Sequence, residues 1–332
     1  MAGSVSKFSP CPDLTSVSQP SRAGGDIANA LRAGIGGGRG SPCEDCPVAE
    51  HDPVRSASVV IPAHNEQAGI GRLLTGLLAG LAPGEFEVLV VCNGCTDRTA
   101  EVAAGFGPDV TVLQIEQPSK QLALAHGDQH AHWFPRVYLD ADLELGATDL
   151  RALVAAVGRP GVLAAGPARV LPRTGVSWPV RAYYRIWEQL PQVRSGLFGR
   201  GVIALSEPGH QRVRQLPPAM SDDLAISEAF RPAERRVVES ASVVIRPPRT
   251  LRDLLRRRIR VVTGNSELDS RDGRSSQART SPAVLAGLVR RQPANLPGVL
   301  VFLAVTALAK LGARRRARAG DRSWLRDESS RQ

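Results

Sequence analysis

Lysine is almost missing from this chain: Lys7, Lys120 and Lys310 are the only three in 332 residues. The formal charge of +10 therefore rests on arginine, much of it beyond residue 230. So local an excess could meet nucleic acid, anionic lipid or a phosphorylated substrate. The motifs below favour the last two, and no nucleic-acid partner is expected. Met1 to Pro20 holds no apolar run, so no secretory signal is expected. Cys11, Cys43, Cys46, Cys92 and Cys95 are then free thiols in a reducing, cytoplasmic compartment. Two Cys-x-x-Cys pairs have the spacing of a four-thiolate zinc site. The first pair, however, lies in residues 1–55, rich in Ser, Pro and Gly and poor in large apolar groups. Such a segment cannot offset its ordering entropy and is expected as a flexible leader without chemistry.

The usual backbone cradles for phosphate are also absent. No Gly-x-Gly-x-x-Gly follows the first strand, and there is no Walker-type lysine loop. A nucleotide bound here would need metal and cationic side chains for its phosphates. The uncharged apolar run that opens at Leu296 is broken at Lys310, short of the roughly 20 residues a spanning helix needs. With Arg314-Arg315-Arg316 behind it, an interfacial helix on an anionic membrane surface is expected, a short spanning segment or core helix being the alternatives.

What the chain does contain is a strand-like run ending in two carboxylates, Val137-Tyr138-Leu139-Asp140-Ala141-Asp142. In extended backbone Asp140 and Asp142 point to one side, about 7 Å apart. Like charges so close call for a neutralising partner, and hard Mg²⁺ or Mn²⁺ carrying a diphosphate suits them. A solvated turn is the plain alternative. Upstream, Ser58 to Pro62 reads as a buried strand, Gln67 to Leu81 as a helix with Ile70, Leu73, Leu74, Leu77, Leu78 and Leu81 on one face, and Phe86 to Val91 as a second strand. Thr96 is the expected cap of the next helix, with Asp97 in its first turn. Val110 to Leu113 is a third strand, Leu122 to Trp133 a helix and Val137 to Leu139 the fourth strand. Alternation of this kind predicts an α/β fold with a mainly parallel sheet flanked by helices, binding ligands beyond the strands' carboxyl ends. His64, Asn93 and Asp140 all sit at such ends.

Five pieces in order, Ser58-Val-Val-Ile-Pro-Ala-His-Asn-Glu66, Val90-Val-Cys-Asn-Gly-Cys-Thr-Asp97, Leu139-Asp-Ala-Asp142, Ser221-Asp-Asp-Leu224 and Arg257-Arg-Ile-Arg-Val-Val-Thr-Gly264, resemble the inverting family-2 glycosyltransferases of the Rossmann-like GT-A fold. The resemblance covers about residues 56–265. It implies a nucleotide-binding half at 56–145, an acceptor half at 146–265, and a basic, partly apolar helical tail at 266–332. It also implies transfer of a sugar from a nucleotide-diphosphate sugar to an acceptor hydroxyl, lipid-linked or small, with a divalent cation (Mg²⁺ or Mn²⁺) as cofactor.

Residue by residue, the likeness gives Pro62, His64 and Glu66 to the nucleoside. Asn93 falls beside the base where the family usually has an acid, and Asp97 falls on a later family aspartate. Lys120 opens the segment that closes over the donor. Asp142 would bind the metal directly, with Asp140 on the ribose or a metal-bound water. Asp223 aligns with the family's base, Asp222 being the reserve, unless that pair only caps a helix. Arg257 and Arg260 remain of an arginine-rich motif and could clamp phosphate or simply be solvated. Val261 stands where processive relatives have Trp, which argues against a long polysaccharide product. Gly196 to Gly201 is expected to line the acceptor pocket, Trp178, Tyr183, Tyr184 and Trp187 to pack in a core, and His126, His130 and His132 to be surface histidines. A sugar-phosphate nucleotidyltransferase, or a non-catalytic nucleotide-sugar-binding module, are the competing readings. The first lacks its Gly-rich loop at Ala63 to Glu66.

Overall fold

The computed structural model describes residues 56–217, 222–270 and 280–318, with the side chains of Asp222 and residues 266–270 outside that description. The expected leader, with Cys43 and Cys46, lies outside it as well. Four strands, β1 (Ser58–Ala63), β2 (Glu87–Asn93), β3 (Val110–Ile115) and β4 (Arg136–Leu139), alternate with helices α1 (Gln67–Leu78), α2 (Thr99–Ala104) and α3 (Lys120–His130). β1 and β2 are buried along their whole length, which is why they read as unbroken apolar runs rather than as alternation. α1 buries Ile70, Leu73, Leu74 and Leu77, one helical face.

The second half adds α4 (Ala147–Val157), β5 (Ala164–Val170), α5 (Trp178–Trp187), α6 (Pro191–Ser195), β6 (Val202–Leu205), α7 (Glu207–Arg214), α8 (Asp222–Glu228) and β7 (Arg235–Val244). All seven strands join one sheet in the order β3-β2-β1-β4-β6-β5-β7. Every neighbouring pair is parallel except those of β6, which runs antiparallel to both β4 and β5. One face carries the largest apolar cluster, under α1, α2 and α4. The other is covered by α3, α7 and α8. The mainly parallel α/β sheet expected from the sequence is therefore present.

Three further helices, α9 (Leu251–Ser270), α10 (Pro282–Arg291) and α11 (Leu296–Arg318), build a satellite core against α5. Tyr183 stacks on Phe302 with centroids 5.1 Å apart and meets Tyr184 edge-on, so these tyrosines do pack in a core. Some boundaries move. α1 ends at Leu78, because Gly80 takes a left-handed turn. α2 begins at Thr99, not beside Thr96. α9 runs on to Ser270, so the expected boundary at 265 falls inside a helix.

Leu153 of α4 is fully buried against the sheet. Leu153→Ala should cost about 2–5 kcal/mol. It should lower the urea midpoint at unchanged m-value, whereas an unaltered midpoint would refute the packing described.

Candidate active site

The loops after β1 and β2 are tied to each other before they can meet a ligand. Asn65, at φ +52°, uses its side-chain Oδ1 to accept the Thr96 N–H at 2.8 Å. The Thr99 hydroxyl accepts the Glu66 N–H at 2.8 Å. Asp97 accepts the Gln67 N–H at 3.2 Å, the Thr99 N–H at 3.0 Å and the Thr99 hydroxyl at 2.5 Å. Burial pushes the Asp97 carboxyl up, but the hydrogen bonds from Thr99 and Gln67 outweigh it and hold the group below its ordinary 3.8. Asp97, rather than Thr96, thus serves the first N–H of α2. Its carboxylate is spent on joining two loops.

Asn93 is also occupied. It is buried, and its amide donates to the Ala63 carbonyl at 2.8 Å. Its own carbonyl accepts from His64 Nδ1 at 2.5 Å, which sets the imidazole tautomer and leaves Nε2 as the remaining ring nitrogen. One donor of the Asn93 amide, which the resemblance sets beside the base, is thus committed to the first loop. Glu66 is buried at the start of α1. Gly69, one turn on, lies so close to the Ala141 carbonyl that a Cβ there would stand 3.3 Å from it. The first loop and the aspartate turn are therefore neighbours. Cys92 is buried too, its thiol pushed up to about 12 by burial and by Cys95, which suits an inert core thiol. Among the described residues no three His, Cys, Asp or Glu side chains cluster as a metal site.

Beyond the carboxyl end of β4 lies a narrow cleft. Its walls include Pro62, Lys120, Tyr138, Asp140, Gly201 and Asp223. Four residues picked from separate parts of the sequence thus meet in one place. Lys120 Nζ lies 2.8 Å from Asp140 Oδ1, with both side chains about two-fifths exposed. The Asp140 N–H donates to the Gly201 carbonyl at 2.8 Å. Gly201 sits at φ +64°, and a Cβ there would come within 2.9 Å of Asp140 Oδ2 and 2.5 Å of Leu143, so only glycine lets the two strand ends approach this closely. Extended backbone stops at Leu139, and Ala141 and Asp142 form a turn. Asp142 is exposed next to the cleft rather than in its wall. Two hard carboxylates, one in the wall and one exposed beside it, fit an Mg²⁺ or Mn²⁺ ion that takes its other oxygens from water and diphosphate.

Asp223 faces the cleft from the start of α8. Its Oδ2 accepts the Gly199 N–H at 2.6 Å and its Oδ1 the Leu224 N–H at 2.8 Å. The loop that supplies Gly199 is braced by two arginines that no sequence motif singles out. Arg200 donates to the carbonyls of Gly196, Pro167, Val193 and Arg194. Arg169 donates to those of Phe198 and Val193 while lying 4.7 Å over the Trp187 ring. Burial lowers Arg169 to about 10, and burial together with Arg169 lowers Arg200 to about 9. Both remain cationic at neutral pH, behind Asp223. Tyr138, also unforeseen, donates from the cleft wall to Asp128 at 2.7 Å, within a buried group that includes Arg136 and His210. Arg257 and Arg260 share α9 and do not line the cleft. The side chain of Asp222 lies outside the described residues.

Residues 58–208 match the family described as Glycosyl transferase family 2. They form a family-2 glycosyltransferase domain. Over 125 residues the chain is 34% identical to an uncharacterized glycosyltransferase of Mycobacterium tuberculosis, covering 37% of this chain and 53% of that protein. Over 93 residues it is 32% identical to the 4,4'-diaponeurosporenoate glycosyltransferase of Staphylococcus aureus, covering 27% and 24%. The match thus spans about half or less of the length of these relatives. In three dimensions the fold resembles a mannosyltransferase from Pyrobaculum calidifontis in complex with GDP-Man and Mn²⁺, with TM-score 0.53, 21% identity and coverage of 82% and 84%. It also resembles glucosyl-3-phosphoglycerate synthase from Mycobacterium tuberculosis in complex with phosphoglyceric acid, with TM-score 0.50, 21% identity and coverage of 67% and 82%. The cleft of the glycosyltransferase domain lies where the carboxyl ends of its strands meet the loop before β6.

Asp97→Ala should destabilise the domain by about 1 kcal/mol, as loss of an exposed helix cap does. Because the folded carboxyl titrates below its unfolded value, its contribution is present above that value and fades as pH falls through the folded one. Urea unfolding should show the gap between wild type and variant steady from about pH 7 to 5 and closing below about pH 4. A gap that widened on acidification would contradict the clamp.

Proposed function

We propose that the protein is a cytoplasmic glycosyltransferase that moves a sugar from a nucleotide-diphosphate sugar to an acceptor hydroxyl, with inversion and with the help of a divalent cation. The observation that carries this reading is the meeting of Lys120, Asp140 and Asp223 in one cleft. A cation partner for phosphate stands on one wall and a carboxylate held by two backbone N–H groups on the other. Further support comes from the fold shared with the mannosyltransferase solved with GDP-Man and Mn²⁺.

In this reading Pro62 and His64 flank the nucleoside, while Glu66 and Asp97 keep the two loops in place around it. Lys120 swings from Asp140 to the diphosphate. Asp142 and Asp140 would hold Mg²⁺ or Mn²⁺, which supplies Lewis-acid neutralisation of the leaving diphosphate when bound. Asp223 accepts the proton of the acceptor hydroxyl. The oxygen so freed attacks the anomeric carbon from the face opposite the diphosphate. A new carbon–oxygen bond forms as the old one breaks, and its electron pair leaves on the phosphate oxygen. Gly199 holds Asp223 by a backbone donor, so the acceptor loop and the base move as one unit. Arg257 and Arg260 keep a phosphate-clamping role in this proposal only if α9 shifts towards the cleft.

Asp223→Asn should lower release of nucleoside diphosphate, tested across a panel of nucleotide sugars and acceptors, by roughly 10²–10⁴-fold. Donor binding measured by calorimetry should survive. Full turnover in that variant would remove Asp223 from the role of base. Asp142→Ala should abolish the Mn²⁺-dependent part of donor binding, and unchanged metal dependence would refute its assignment. Lys120→Met should weaken nucleoside-diphosphate binding while strengthening Mn²⁺ binding measured without nucleotide. Loss of both affinities together would refute the exchange of Lys120 between Asp140 and phosphate.

A further inference from the structure

One face of α11 belongs to the satellite core. Val299, Phe302, Val305, Ala309 and Ala313 are buried there, and Gly298 lies so close to α5 that a Cβ would stand 3.0 Å from Ile186. The opposite face is apolar as well, and it is bare. Leu296 is 49% exposed, Leu300 59%, Leu303 47% and Leu311 45%. At 3.6 residues per turn these four, with exposed Ala304 and Ala307 between them, fall within an arc of about 100° and a length of about 22 Å. Scattered surface leucines need no explanation, but a continuous stripe of this length on a helix already packed on its other side does.

The charges around the stripe indicate its occupant. From Thr280 to Arg318 the chain has seven basic side chains and no Asp or Glu. Arg290 and Arg291 are exposed at the end of α10, just before the stripe starts. Beyond Leu311, exposed Arg314 and Arg318 continue along the same helical face, with Lys310 beside it. Both ends of the apolar strip are therefore cationic. A second copy of the chain would set these basic ends against one another. An anionic bilayer surface offers hydrocarbon to the leucines and phosphates to the arginines at once. By length and composition α11 could also cross a bilayer. Its inward face, however, is held by Tyr183, Ile186 and the α9 helix, and crossing would strip that core open.

We propose that the Leu296–Leu311 face of α11 is a docking surface for anionic phospholipid, on which the protein lies without spanning. The inference stands apart from the transfer reaction, since it needs no donor, metal or turnover. The test is co-sedimentation of the full chain with phosphatidylcholine vesicles, with and without phosphatidylglycerol. Wild type should pellet with the anionic vesicles, less so as salt rises. Leu300→Asp with Leu303→Asp should lower vesicle affinity by roughly tenfold or more. Arg314→Gln with Arg315→Gln and Arg318→Gln should remove the preference for phosphatidylglycerol, and this surface variant keeps the test decisive if the leucine pair misfolds. Failure of wild type to bind any vesicle would overturn the proposal. So would conversion of a dimer to a monomer by the leucine variant, seen by light scattering with vesicle binding intact. Protein that resisted alkaline carbonate extraction from membranes would overturn the claim that α11 does not span.

Discussion

The seam between β4 and β6 is the constraint on which the rest of the site depends. Four strands of the first half run parallel, and β6 enters against β4 in the opposite sense, pairing Leu139 with Val202 and Arg136 with Leu205. That reversal brings the start of β6 to the carboxyl end of β4. The Asp140 N–H then bonds to the Gly201 carbonyl, and the loop before β6 is held against the carboxylate that follows β4. A parallel strand in the same slot would put its opposite end there, and Asp223 would lose the Gly199 N–H that holds it. Two strand ends this close leave no space for a side chain at 201, which ties the cleft to one glycine.

Charge is arranged around that seam in a graded way. Lys120 and Asp140 form a half-exposed pair that solvent screens, so exchanging partners costs little. Arg169 and Arg200, behind the loop that precedes β6, are the opposite case. Their charges are buried and satisfied mainly by backbone carbonyls, an arrangement that fixes a loop because removing any carbonyl leaves a buried donor unmet. The cleft therefore joins one readily exchanged ion pair to a rigid wall. In the proposed reaction a donor would enter through the former while an acceptor would rest on the latter.

How much of this was legible in the sequence follows from burial. β1 and β2 are covered on both faces, so Ser58 to Pro62 and Phe86 to Val91 announced themselves as β-branched and aliphatic runs. β5, Ala-Ala-Gly-Pro-Ala-Arg-Val, is made largely of poor strand formers and owes its place to its neighbours β6 and β7. β7 is an edge strand with a register shift opposite Pro167, so its alternation is broken. Leu150, Leu153 and Val157 do carry a helical signal from which α4 could have been found. Pro62, Lys120, Asp140 and Asp223 were picked from separate stretches of the sequence, and the fold brings them into one cleft. The commitments of Asn93 and Asp97 were not, because a side chain's partner across two loops is set by the turn geometry rather than by its residue type. Arg169 and Arg200 resembled any other arginine until their burial was visible.

The claim that the β4–β6 seam builds a diphosphate site is tested most directly by crystals soaked with Mn²⁺ and nucleoside diphosphates. An anomalous peak within about 2.5 Å of an Asp140 or Asp142 oxygen, with the diphosphate against Lys120, is the predicted result. Nucleotide bound with manganese elsewhere, or a cleft still closed by Lys120 on Asp140, would contradict it.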